Sequence, residues 1–176
     1  MSPIFKLLFG VLVVLISAPA AFAQTMPHME AADLNGRALS IPQDLAGSPP
    51  LLFVAFEEEQ QKEIDRLLRL IEKAKAPGLR VWELPLIDDP GPAGRFFIGN
   101  GMRAGIPGQV TRGGVVTLYV KDRKAFAAAL GLGPEQTVYL VALGANGHVA
   151  ASRPSREIVT QPQMNAFLKA VTGARR

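Results

Sequence analysis

The chain predicts an α/β domain built on a mixed central sheet with flanking helices. Three observations carry that expectation. Leu51–Phe56 is an unbroken apolar run, the pattern of a strand covered on both faces. A helix with the apolar stripe Ile64, Leu67, Leu68, Ile71 follows it, obeying the i, i+3, i+4, i+7 rule. A second strand, Arg80–Ile87, follows that helix, and a strand–helix–strand unit implies parallel pairing with a right-handed crossover.

The first 23 of the 176 residues read as a secretory signal. Lys6 supplies the positive start, Leu7–Ile16 the apolar core, and Ala21-Phe22-Ala23 a small-x-small cleavage site. Ten apolar residues are few for a bilayer span, so the mature chain is expected to begin at Gln24 without a spanning segment. An uncleaved anchor is the alternative. Residues 24–30 read as a flexible leader, 31–173 as one domain, and 174–176 as a tail.

The mature 153 residues carry 18 basic and 15 acidic side chains, a net charge of +3. The charges are dispersed and not interleaved with aromatics, so nucleic-acid binding is not expected. A mildly basic face suits an anionic membrane or an acidic partner, or simply solubility. There is no cysteine. That excludes thiol peroxidase and disulfide-exchange chemistry, thiolate metal sites and c-type haem attachment on this chain.

The elements follow in order. Asn35-Gly36 suits a tight turn between extended segments, predicting a small N-terminal hairpin before a turn through Asp44–Pro50. The helix after the central strand spans about 58–75, with acids at its start, lysines at its end, and Asp65 and Arg69 placed to pair. Pro77-Gly78 stops it. Pro85 suggests that the second strand ends there or runs less paired. Residues 88–94 read as a loop. Arg95–Gly105 reads as a short irregular helix with Phe96, Phe97 and Met102 inward, and 106–114 as loop again. Val115–Val120 is a strand, and Asp122 caps a helix through Leu130, closed by Gly131. Thr137–Leu143 is a strand, Asn146-Gly147 a turn, and His148–Ser152 the antiparallel return. Thr160 with Gln163 resembles a capping box for a last helix burying Met164, Phe167, Leu168 and Val171.

That order resembles the thioredoxin-like superfamily, in its peroxiredoxin and exported thiol–disulfide oxidoreductase branch. Asp33-Leu34-Asn35-Gly36-Arg37-Ala38-Leu39-Ser40 is similar to the branch's D-x-x-G-x-x-v-s-L opening. Leu51–Phe56 resembles its first core strand. Tyr119–Leu132 resembles the D-x-x-x-x-x-a-x-x-y-G-v segment, and Tyr139–Val149 the F-L-I-D-x-x-G-x-I hairpin. The departures are as informative. With Ala55 on the alanine before the family's C-x-x-C, Glu58 and Gln61 stand where the cysteines belong. Glu135-Gln136-Thr137 replaces the family's proline before the penultimate strand, with Pro134 one step early. The resemblance therefore transfers no catalytic residue. Leu130-Gly131 and Val138-Tyr139-Leu140-Val141 also resemble the L-G-x…V-Y-L-V stretch of mitochondrial ATP synthase assembly factors, with Arg95–Arg103 as a fainter echo. That likeness implies folding or assembly of a membrane complex.

Candidate chemistry is sparse. Glu57-Glu58-Glu59 opens a helix, where the dipole alone accounts for acids. Gly99–Gly105 is one residue off a dinucleotide fingerprint and lacks the strand before it. Arg95, Arg103 and Arg112 read as solvated cations, Trp82 as core, His148 as an edge-strand residue and His28 as solvated. No catalytic residue, cofactor site or metal site is assigned. The expected function is an exported, non-catalytic binding module acting as an assembly factor or chaperone-like adaptor. It would work in the periplasm, with the inner membrane as an associated location, on a protein partner that includes membrane complexes among the candidates. Its partner-binding residues would be Glu57, Glu58, Glu59, Gln60, Gln61 and Thr137, at the strand ends. The alternative is an enzyme of non-thiol chemistry using the Glu57–Glu59 carboxylates with a metal or anion. A purely structural component is a third reading.

Overall fold

The computed structural model describes residues 24–45, 50–76 and 78–173. The segment expected to be a signal, part of the turn before the central strand, Pro77 and the last three residues lie outside the described residues.

Strand β3 (Pro50–Ala55) lies in the middle of a five-stranded sheet. On one side it pairs in parallel with β4 (Arg80–Asp88), which pairs in parallel with β5 (Leu118–Val120). On the other it pairs antiparallel with β6 (Tyr139–Leu143), which pairs antiparallel with β7 (Val149–Pro154). The sheet order is β5-β4-β3-β6-β7, so the mixed sheet with its central run is as the sequence predicts.

Side-chain alternation along β3 divides the core. Leu52, Val54 and Phe56 join Trp82, Leu84, Leu118 and Phe126 on one face, while Leu51, Phe53 and Ala55 join Ile64, Leu67, Phe167 and Leu168 on the other. The second face is covered by α1 (Gln61–Ala74), entered through a single 3-10 turn at Glu58–Gln60, and by α5 (Gln161–Gly173). Arg66 ties them together. Its guanidinium pairs with Glu63 and donates to the Ile158 carbonyl (2.8 Å) and the Ser155 carbonyl (3.3 Å) ahead of α5. The Gln163 carboxamide accepts from the Thr160 N–H (2.9 Å), the back-reaching half of the expected capping box.

The first face is closed by a hairpin of β1 (Met29–Ala32) and β2 (Ala38–Ile41) and by α4 (Arg123–Ala129). The buried Asp33 carboxylate builds the hairpin turn, accepting from the N–H groups of Asn35 (2.9 Å) and Arg37 (3.0 Å) and from Arg37 Nε (3.2 Å). Gly36 takes φ +86° there, a value glycine adopts without steric cost.

Several expectations are corrected. Residues 24–30 are not a loose leader: Met26 is 2% exposed, its N–H donates to the Gly147 carbonyl, and β1 begins at Met29. β4 does not end at Pro85. Its pairing with β3 ends at Pro85, while on its opposite edge an isolated bridge at Glu83–Val115 precedes the β5 ladder from Leu86, so Pro85 takes the less paired position that the sequence also allows. The helix after β4 is longer than expected. α2 runs Gly91–Gly105, and a four-residue helix, α3 (Gln109–Arg112), follows within the expected loop. Phe96 and Phe97 do not point inward; they are 62% and 72% exposed, and α2 buries no residue. Two adjacent phenylalanines diverge by about 100° on a helix, and here both fall on the outward side. No helix of the described residues is long and apolar enough to cross a membrane.

Candidate functional site at the strand ends

β3 and β4 run in parallel, so their carboxyl ends meet at one edge of the sheet, beside the start of α1. In open α/β sheets this edge is where ligands are usually received. Three further pieces converge there: the start of α4, the segment before β6, and Glu57–Gln60.

Arg123 holds them together. Its guanidinium donates to the Phe56 carbonyl (3.0 Å) and to Glu135 Oε2 (2.8 Å). It lies 3.5 Å from the Glu57 carboxylate and 3.7 Å from that of Asp88. The Arg123 N–H donates to Asp88 Oδ1 (2.9 Å), and Asp122 caps α4 through the Ala125 N–H (2.9 Å). One cation thus faces three carboxylates while satisfying the carbonyl just past the end of the central strand. Arg123 and Glu135 side chains are only 21% and 19% exposed, so removing one partner costs more than at a fully exposed pair. Arg123 Nε and Glu135 Oε1 are buried without a hydrogen-bond partner among the described residues.

The expected site residues divide into two groups. Glu57, Glu58 and Glu59 are exposed at the helix entry, and only Glu57 reaches Arg123. Gln60 is a strut. Its carboxamide accepts from the Phe56 N–H (2.8 Å) and donates to the Glu135 carbonyl (2.6 Å). Gln61 begins α1 and donates to Asp65 (3.2 Å). The Thr137 hydroxyl lies 3.0 Å from that of Ser155. The structure therefore brings Glu57 and Gln60 to one knot with Arg123 and Glu135, and sets Thr137 against the 3-10 turn after β7. Arg123, Glu135 and Asp88 escape sequence reading because they stand in three different segments and no local pattern links them. The one signal is that Asp122-Arg123 directly follows β5, at the same sheet edge.

Beneath the helix entry lies Glu83, 8% exposed on the α1 face of β4. Burial pushes its carboxyl above the usual range, opposed by a hydrogen bond from Gln61 and reinforced by the nearby Asp65 carboxylate. Among the described residues no three histidine, cysteine or acidic side chains are placed to hold a metal. Gly99–Gly105 lies inside α2, not at a strand-to-helix turn, so it forms no phosphate cradle. Arg95 is paired with Asp89 (2.7 Å), which holds the Asp89 carboxyl low. His148 Nδ1 lies 2.6 Å from the Ala145 carbonyl, and Trp82 is fully buried.

This architecture, a mixed sheet with the helix-bearing strand at its centre and a hairpin at its entry, is thioredoxin-like. No protein-family model and no curated protein matches the chain by sequence. Its solved neighbours share the fold. A candidate electron transfer protein of Aquifex aeolicus VF5 superposes with a TM-score of 0.59 at 17% identity, over 86% of this chain and 98% of that one. BsSco, a member of the Sco family of cytochrome c oxidase assembly proteins, gives 0.57 at 16%, over 88% and 96%. The thioredoxin domain of a thiol-disulfide oxidoreductase of Bacteroides vulgatus gives 0.52 at 15%, over 84% and 94%. The chain has the fold of these redox proteins and no cysteine.

Proposed function

We propose that this chain is an exported thioredoxin-like binding module, an assembly factor or chaperone-like adaptor that performs no thiol chemistry. The observation that carries the reading is the strand-end edge itself. Where the resemblance puts a cysteine pair, the chain has an acidic step of three exposed glutamates, tied through Glu57 to Arg123 and followed by Gln60, both of which hold Glu135. An exposed, like-charged step is suited to capturing basic or amide groups of a partner. The naming of one fold neighbour as a cytochrome c oxidase assembly protein supports the assembly side of the proposal. The secretory pattern of the first 23 residues supports export to the periplasm.

The test separates capture from stability. Changing Glu57, Glu58 and Glu59 together to Gln is expected to move unfolding free energy by no more than about 0.5 kcal/mol, as for exposed side chains. Photo-crosslinking in intact cells from position 58 is expected to trap a defined protein that the triple variant no longer traps. Capture unchanged in the triple variant would remove the acidic step from the reading. Recovery of the chain in the cytoplasmic fraction would overturn export. A thermal upshift with one divalent metal, lost in the triple variant, would instead favour the reading of a carboxylate enzyme.

A further inference from the structure

A second feature lies away from the strand ends, between the hairpin and the sheet margin. β1 pairs only with β2, and β5 pairs only with β4. Their outer edges touch once, at an antiparallel bridge between Asp33 and Val116, beside which the Leu34 N–H donates to the Val115 carbonyl (3.1 Å). Beyond that hinge the edges part. No backbone hydrogen bond joins Met29–Ala32 to Leu118–Val120 among the described residues. A cleft of about 460 Å³ opens in the gap.

The lining of the cleft shows what it presents. Side chains alone would contribute every second residue of a strand, because they alternate between faces. Here the consecutive run Met29–Leu34 lines the cleft, so the main chain of β1 is itself a wall. Thr117 and Tyr119 line the β5 side, and Arg95, Gly99 and Arg103 of α2 form the floor. Unpaired edge N–H and C=O groups repeat at the strand spacing, and the group that complements such a row is another extended backbone. The charges are polarised along the cleft. Arg95 is held by Asp89, and Asp33 by Arg37. Glu30, at one rim, lies 4.0 Å from His28. Arg103 is bonded to the neutral Asn100 carboxamide (2.7 Å) and to no carboxylate among the described residues. The floor therefore offers one cation to an incoming acid.

We propose that this cleft takes an extended polypeptide segment of a partner protein, inserted as a strand between β1 and β5, with an acidic residue or terminal carboxylate against Arg103. The segment would join the hairpin to the main sheet. This site is independent of the strand-end edge and of the function proposed for it.

Gly99 supplies the variant that tests the site. It has no positive φ, and the atoms nearest to a Cβ there are those of the Arg103 guanidinium, at 3.7 to 3.9 Å. Gly99→Phe therefore fills the cleft without backbone strain, and Gly99→Ala leaves it open. Each replaces a helix glycine, so neither is expected to lower the melting temperature. The probe is a fluorescein-labelled heptapeptide of alternating valine and threonine ending in two glutamates, read by fluorescence polarisation on the full mature chain. The expected result is saturable binding, kept by Gly99→Ala and weakened at least about tenfold by Gly99→Phe. The same loss is expected when alternate peptide amides are N-methylated, because methylation removes the ladder donors. New hydrogen-exchange protection is expected at the amides of Met29–Ala32 and Leu118–Val120. Binding indifferent to Gly99→Phe or to N-methylation overturns the proposal, as does no saturation by about 1 mM, the weak end of specific association.

Discussion

Glu83 is the residue whose environment most contradicts its chemistry. A carboxylate on a buried strand face pays desolvation that a hydrogen bond from Gln61 only partly offsets, so its folded pKa lies above the unfolded one. The sign of the linkage follows. Below the unfolded value both states are protonated and folding loses nothing. As pH rises through the raised folded value, the native state must ionise a buried group, and stability falls. Glu83→Gln keeps the shape and removes the charge. It is expected to be close to neutral in stability at pH 4 and stabilising at pH 8, measured by urea unfolding at both values. An equal effect at the two pH values would show that Glu83 is not ionising under strain. Arg123 is the opposite case, a cation surrounded by the carboxylates of Glu57, Asp88 and Glu135. Arg123→Met would leave the half-buried Glu135 carboxylate unpaired and the Phe56 carbonyl without its donor. A loss of about 1–3 kcal/mol is expected, between the scales for exposed and for buried pairs, since both side chains are half-buried. Urea unfolding measures it, and adding Glu135→Gln should recover part of the loss, because the orphaned charge is then gone.

At the scale of elements, α2 departs most from ordinary helix physics. It has five glycines in fifteen residues and buries no side chain, although each interior glycine costs about 1 kcal/mol relative to alanine. Its glycines are not equivalent. A Cβ at Gly101 meets nothing within 4 Å, whereas one at Gly94 would lie 2.5 Å from Pro90 Cβ. Gly101→Ala is therefore expected to stabilise by about 0.5–1 kcal/mol, and Gly94→Ala to destabilise, both read as shifts in the urea midpoint. The same helix marks where sequence reading stops. Elements whose apolar residues repeat at a structural period were legible. Leu51–Phe56, the Ile64–Ile71 stripe and the Met164–Val171 stripe lie where expected, because burial imposes the period. α2 has no such stripe, so its start and its exposed face were misplaced. The Arg123 knot was illegible for another reason: it joins residues from four segments, and no local pattern reports a contact made by folding. The acidic step at Glu57–Glu59 was visible as a run, but its tie through Glu57 to Arg123 was not.

At the scale of the molecule, stability is unevenly distributed, and the fold shows how. β3 is paired on both sides along most of its length and carries apolar residues into both core layers. No disulfide can compensate for a weak region, so each part holds only what its own burial supplies. Opening α2 would expose little apolar surface, since the helix buries none of its residues, while opening β3 would expose both layers at once. Local opening free energies therefore rise from α2 toward the centre of the sheet. Native-state hydrogen exchange is expected to show the amides of Leu52–Val54, Leu84 and Leu140–Ala142 exchanging only through global unfolding. Those of residues 95–105 should exchange through a smaller, denaturant-insensitive opening. Equal protection in α2 and β3 would mean that α2 is held by more than the contacts it makes within this chain. A peptide seated in the cleft between β1 and β5 would touch α2 through Arg103, so it should slow the local opening of α2 as well as of β1 and β5, while β3, which exchanges only by global unfolding, should slow by no more than the binding free energy itself.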